Sequence, residues 1–364
     1  MSILPTPNSR KHNFSAGPGA LPFEVLEEIA RELPDFRGLG ISIMEMSHRS
    51  KEFEGVVADT RAALTRLLGL GSDYEILLIQ GGASQQFAMV PMNLGPGGVY
   101  LNTGEWASKA VEEAQRWGET FEAYSGKAEN FSDLPGEERR FDGPVGAKYL
   151  HYTSNNTLYG TQFHHLPRTN LPLVCDVSSD FISRPVDMTR FDLVYAGAQK
   201  NAGPSGVTIV VAKRDVLRTF KGDSRVPTIF RYQTHAENET MYNTPNCFGI
   251  WVVGLMARWV ERQGGVAAME VLGREKADLI YSAIDERPDF YRGHAVKAVR
   301  SLMNITFRCA TEALDEAFMA EADRRGLISL KGHRKVGGMR ASIYNAVPKE
   351  SVAALADLIR TFGR

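Results

Sequence analysis

Along most of the chain, short apolar runs alternate with segments whose apolar residues recur at helical spacing. "YEILLIQ", "GGVYLNT", "KYLHYTS", "LPLVCDVSS", "FDLVYAG" and "GVTIVVAK" each predict a strand. Runs apolar at consecutive positions suit strands covered on both faces. Between and before them, "ASQQFAMVPMNL" and "EWASKAVEEAQRWG" predict helices. So do "LPFEVLEEIARELPDF", opened by Pro22, and "KEFEGVVADTRAALTRLLGL", which stops near Gly69 and Gly71. This alternation implies an α/β domain with a mostly parallel central sheet.

Two long helical stretches follow, "FGIWVVGLMARWVERQGG" and "VAAMEVLGREKADLIYSAIDE". After Arg287-Pro288 the pattern changes. "SLMNITFRC" and "GGMRASIYNAV" predict strands, with "EALDEAFMAEADRRGL" and "KESVAALADLIRTFG" as helices. We therefore expect a large α/β domain over 14–264 and a smaller α+β domain over 265–364, divided near Gly264-Gly265. Residues 1–13 read as a lead-in.

At 364 residues the chain exceeds one typical domain of roughly 100–200 residues, which agrees with two. The formal net charge of −1 argues against a broad nucleic-acid or anionic-membrane surface. No apolar run reaches the roughly 18 residues a membrane-spanning helix needs. The opening "MSILPTPNSRKHNF" lacks the apolar core of a signal peptide. Cys175, Cys247 and Cys309 are scattered and odd in number, so neither a disulfide framework nor a structural zinc is expected. A cytoplasmic protein is the expectation.

In open α/β sheets, ligands collect at the carboxyl ends of the strands. Those positions hold Gly81-Gly82-Ala83-Ser84, Trp106, Thr157, Asp176 and Lys200. The glycine turn before a helix offers backbone N–H groups at Ala83 and Ser84 to an anion. It matches neither a P-loop nor a full dinucleotide fingerprint, and by itself such a turn is as readily structural. An acid ending a buried strand, Asp176, needs a partner; it reads as a turn former or as a carboxylate facing a cationic ring nitrogen. Lys200 sits among Ala196, Gly197, Ala198, Ala202 and Gly203, which leave room for a bulky group at its amine. The bland reading is an exposed loop lysine. A desolvated lysine there would have a lowered pKa and could form an imine with an aldehyde. Anion site, ring-nitrogen acid and imine lysine are the three demands of pyridoxal phosphate. Trp106, otherwise a core residue, could stack on the ring.

These residues match a known family. The chain resembles the phosphoserine aminotransferases, fold-type I pyridoxal phosphate enzymes, over nearly its whole length. The stretches that carry the resemblance are "NFSAGPGALP", "MEMSHRSKEF", "LIQGGASQQF", "DVSSDFISRPVD", "YAGAQKN", "YNTPNCF" and "LKGHRKVGGMRASIYNA". The resemblance implies a large domain with a mostly parallel, seven-stranded type of sheet. It implies that Lys200 forms the imine, Asp176 partners the ring nitrogen, Trp106 stacks and Thr157 bonds the phenolic oxygen. Ala83, Ser84 and Gln199 would hold the cofactor phosphate, joined by Asn243 and Thr244 from the neighbouring subunit of a homodimer. Where the family often shows Asn-Glu-Thr, this chain has Asn155-Asn156-Thr157. Relatives also vary at the positions of Ala83 and Ser84.

Two basic clusters remain: His48 and Arg49 in "SHRS", and Lys331, His333, Arg334, Lys335 and Arg340 in "KGHRKVGGMR". Blandly these are solvated faces or a weak nucleic-acid patch. Glycines at 332, 337 and 338 suggest a shaped loop instead. Guanidinium and imidazolium groups suit a dianionic phosphate, and a separate arginine suits a carboxylate. By resemblance Arg340 takes the substrate carboxylate. His333 and Arg334, with the partner subunit's His48 and Arg49, take the substrate phosphate. The implied reaction moves an amino group from glutamate to 3-phosphonooxypyruvate, giving phosphoserine and 2-oxoglutarate in serine biosynthesis, with a related amination in pyridoxal phosphate biosynthesis in bacteria. The alternatives keep the fold and change the substrate, as alanine–glyoxylate or serine–glyoxylate aminotransferases and cysteine desulfurases do, or keep the fold without the chemistry.

Overall fold

The computed structural model describes residues 10–363. Of the expected lead-in, residues 1–9 lie outside the described residues. A seven-stranded sheet organises the larger part of the chain, in the order Tyr74–Gly81, Gly206–Lys213, Leu193–Gly197, Leu173–Asp176, Tyr149–Thr153, Gly98–Asn102, Thr120–Ser125. Gly206–Lys213 runs antiparallel to both neighbours, and the other pairings are parallel. The architecture is the expected α/β class with a mostly parallel sheet.

The continuous apolar runs exist because helices cover both faces of this sheet. Successive strand residues feed two different cores. Ile76, Leu78, Val99, Leu101, Val194, Ala196, Val207 and Ile209 pack on one side. Leu77, Ile79, Tyr100, Leu193, Tyr195 and Val210 pack on the other. Helix Lys51–Leu68 lies on the first side, capped by the Ser50 hydroxyl, which accepts from Phe53 N–H, and ended by Gly69 in the left-handed region. The edge strand Thr120–Ser125 was not foreseen. Its residues are half-buried with one exposed, so "TFEAYS" carries no buried apolar run.

The C-terminal part folds around an antiparallel sheet of Tyr291–Gly293, Asn304–Cys309 and Met339–Ser342. Helices Gly265–Asp285, Glu312–Arg324 and Lys349–Thr361 contribute to its separate core. Phe14 and Ala20 belong to that core as well, and His12–Asn13 pairs with Leu327–Ile328. The start of the chain is thus built into its end. Helix Gly265–Asp285 spans the junction: Met269 packs in the first core, Ala277 and Ile280 in the second.

Candidate active site

Parallel pairing puts strand ends on one rim. Thr153 lies beside Asp176, and Asp176 beside Tyr195, two residues before the strand stops at Gly197. The turn that follows carries Gln199 and Lys200 back over this edge. Lys200 Nζ donates to Thr157 Oγ1 at 2.7 Å and lies 5.9 Å from the centre of the Trp106 ring. Burial pushes the Lys200 pKa down to about 8; Asp176 pulls it up and Arg340 pushes it further down. The amine is therefore closer to neutral than an ordinary lysine, as imine chemistry requires.

Asp176 is buried, 3% exposed, and burial raises its pKa against the pull of Lys200 and of Ser178. Both Ser178 donors go to one oxygen: N–H at 2.9 Å and Oγ at 2.6 Å to Oδ1. The Ser178 hydroxyl also accepts from Gly197 N–H at 3.0 Å, so its proton is committed to Asp176. No hydrogen bond within the described residues reaches Oδ2. Sequence reasoning gave Ser178 no role; the signal was a hydroxyl two residues after a strand-ending acid.

Trp106 is the second residue of helix Glu105–Trp117. Its Nε1, Gln199 Oε1, Arg340 Nε and His48 Nε2 are all buried without a partner. These four polar atoms on expected site residues, like several elsewhere among the described residues, are left free to bond a partner. Ala83 and Ser84 open helix Ala83–Leu94, whose Gly82 cap supplies no side-chain acceptor. Ser84 is exposed.

The substrate-side residues divide. Arg340 lies on Met339–Ser342, opposite Thr306, half-buried and with its pKa lowered by burial. His333 is near enough to Arg340 for that charge, after burial, to lower its pKa. The loop between them is latched to the Trp106 helix by Lys335 Nζ on Glu105 Oε2 at 2.6 Å, and Val336 joins Trp106 against Phe131, Leu158 and Tyr159. Arg334 is exposed. His48, Arg49, Asn243 and Thr244 form no hydrogen bond or ion pair with this group among the described residues. Arg49, Asn243 and Thr244 are exposed, and the Thr244 carbonyl accepts from Gln80 Nε2.

Sequence reasoning also gave no roles within the N-terminal "SAGPG". Gly17, with φ of 145°, brings the chain against the lysine: an added Cβ would lie 3.6 Å from Lys200 Cγ. At Gly19 a Cβ would lie 2.9 Å from both the Lys200 carbonyl and the Tyr344 ring. A buried polar web then ties the rim to the C-terminal sheet. Asn155 Nδ2 donates to Ser179 Oγ at 2.8 Å and to Asn304 Oδ1 at 2.7 Å; Asn304 Nδ2 donates to Ser342 Oγ at 2.9 Å.

The sequence signature of the class-V aminotransferases matches residues 11–355. The phosphoserine aminotransferase of Herpetosiphon aurantiacus is 51% identical over 96% of this chain and 98% of its own. The solved phosphoserine aminotransferase of Bacillus circulans subsp. alkalophilus superposes with a TM-score of 0.94 at 48% identity, over 97% and 98% of the two chains. The pyridoxal-phosphate-bound enzyme of Trichomonas vaginalis does so at 0.91 and 34%, over 96% and 100%. The chain belongs to the class-V aminotransferases, fold-type I enzymes that use pyridoxal phosphate, and within them to the phosphoserine aminotransferase family. The residues present fit that cofactor: a desolvated amine, an acid with one free oxygen, an unpartnered indole beside the amine and uncapped helix amides.

Proposed function

We propose that the protein reversibly transfers the amino group between glutamate and 3-phosphonooxypyruvate, giving O-phospho-L-serine and 2-oxoglutarate. The observation that carries this reading is the Lys200 amine on Thr157 Oγ1, close enough to both Asp176 and Arg340 for their charges to act on it. Bound pyridoxal phosphate supplies an aldehyde that exchanges amines and a ring that takes up carbanion charge. Lys200 Nζ would hold the cofactor at rest and, when free, would take the proton from the substrate Cα as general base. Asp176 would hold a proton at the ring nitrogen, Trp106 would pack on the ring and Thr157 Oγ1 would bond the phenolic oxygen. Ala83, Ser84 and Gln199, with Asn243 and Thr244 of the partner subunit, hold the cofactor phosphate. Arg340 orients the substrate carboxylate. His333 and Arg334, with the partner subunit's His48 and Arg49, take the substrate phosphate.

A homodimer is part of the proposal. Exposed Leu39, Ile41 and Met44 precede His48 and Arg49, and exposed Tyr242 precedes Asn243 and Thr244. Large apolar side chains left in water beside unpartnered polar ones suit a covered face. No helix of the described residues is long and apolar enough to cross a membrane, in keeping with a cytoplasmic enzyme. We read the units as 14–264 and 265–364, and serine biosynthesis as the setting, with pyridoxal phosphate biosynthesis as a further one.

The test is a coupled assay with glutamate and 3-phosphonooxypyruvate, run against pyruvate and glyoxylate. Turnover with the phosphorylated acceptor, lost in Lys200→Ala together with the cofactor's absorbance, is expected. Preference for glyoxylate would overturn the substrate assignment.

A further inference from the structure

Lys276 is a lysine without any solvent exposure, on helix Gly265–Asp285 in the C-terminal part. Its three donors are matched to three backbone carbonyls: Tyr344 at 2.7 Å, Val347 at 3.1 Å and Asn345 at 3.4 Å. Burying an amine is expensive, and burial pushes this pKa down to about 7. An apolar side chain would fill the same space at lower cost. Only a group with several donors can gather three carbonyls of one turn, so the turn is what the lysine serves.

That turn joins the strand bearing Arg340 to helix Lys349–Thr361 and is bonded to Asn201, the residue after Lys200. Asn345 N–H donates to Asn201 Oδ1 at 2.9 Å, and Asn345 Nδ2 to the Ile182 carbonyl at 2.9 Å. The Tyr344 hydroxyl donates to the Ala16 carbonyl at 2.7 Å, and its ring meets Gly19, whose N–H donates to the Gln199 carbonyl at 2.7 Å. Arg340, four residues before Tyr344, is also close enough for the two groups to act electrostatically on each other.

We infer that Lys276 is a positioning residue for transamination: by holding the 344–347 turn it sets where Arg340 stands relative to Lys200. It touches neither substrate nor cofactor. The inference rests on reading Arg340 as the carboxylate clamp.

The test compares Lys276→Met, Arg340→Leu and the wild type in the holoenzyme, reading KM and kcat for glutamate and phosphoserine, the cofactor absorbance and the melting temperature. In Lys276→Met we expect KM for both amino donors to rise about tenfold or more, since small misplacements far from the chemistry are costly. The absorbance should stay and kcat should move less. An unchanged KM with only a lower melting temperature would make Lys276 a structural staple and overturn the inference. If Arg340→Leu raises KM while Lys276→Met does not, the inference alone fails; if Arg340→Leu leaves KM alone, the clamp reading fails first. Should Lys276→Met not accumulate as folded protein, Asn201→Ala removes the side-chain acceptor of the Asn345 N–H and so cuts the tie between the turn and the Lys200 segment. It should raise KM likewise, and normal KM values there would refute the link.

Discussion

At the scale of single residues, the site is a set of groups moved away from their ordinary protonation. Lys200 carries a pKa of about 8 because burial outweighs the pull of Asp176. Below that pH the amine holds its proton and cannot attack an aldehyde. Between about 8 and the usual lysine value it is neutral here, while the unfolded chain still binds the proton. Through that window the unfolded state holds more protons, so this group's contribution to stability rises with pH; below 8 both states are protonated. After removal of the cofactor, recombination with pyridoxal phosphate should therefore quicken with pH up to about 8 and level off above it. Stopped-flow absorbance measures this, and a rate that keeps climbing to pH 10 would mean an unperturbed lysine.

Among the elements, legibility followed burial. The six strands that feed both cores are long apolar runs and stand out in the sequence; Ile209, Val210, Val211 and Ala212 alternate between cores with no polar break. The edge strand Thr120–Ser125 faces water in part and carries no such run. Lys200 and Asp176 were legible because a charged residue at the end of an apolar run is out of place. Lys276 and the Gly17–Gly19 bend were not, since their roles depend on residues distant in sequence, such as Tyr344 and Lys200. The bend yields its own prediction. With the Lys200 carbonyl and the Tyr344 ring both 2.9 Å from an added Cβ, Gly19→Ala overpacks a contact between three segments. A loss of about 1–3 kcal/mol is expected, read by denaturant unfolding of the holoenzyme. Unchanged stability would mean that the segment shifts freely.

On the scale of the whole molecule, one chain brings Thr157, Asp176 and Arg340 close to Lys200 but leaves His48, Arg49, Asn243 and Thr244 without a hydrogen bond or ion pair to them among the described residues. Two arrangements could complete the phosphate clamp: each chain folds its own Arg49 segment inward, or each lends it to a second copy. Mixed dimers separate them. Co-expression of Lys200→Ala and Arg49→Ala chains gives dimers with one subunit of each kind. If Arg49 acts across the interface, the site of the Arg49→Ala subunit keeps its own Lys200 and receives the intact Arg49 of its partner. The other site lacks both. With half the dimers mixed and one good site in each, about a quarter of wild-type activity should return, although neither variant alone is competent at low phosphoserine concentration. If Arg49 serves its own chain, every mixed dimer pairs a site without the lysine with a site without the arginine, and no activity returns. Recovery thus requires the shared site, and its absence in purified mixed dimers would remove the partner's Arg49 from the clamp.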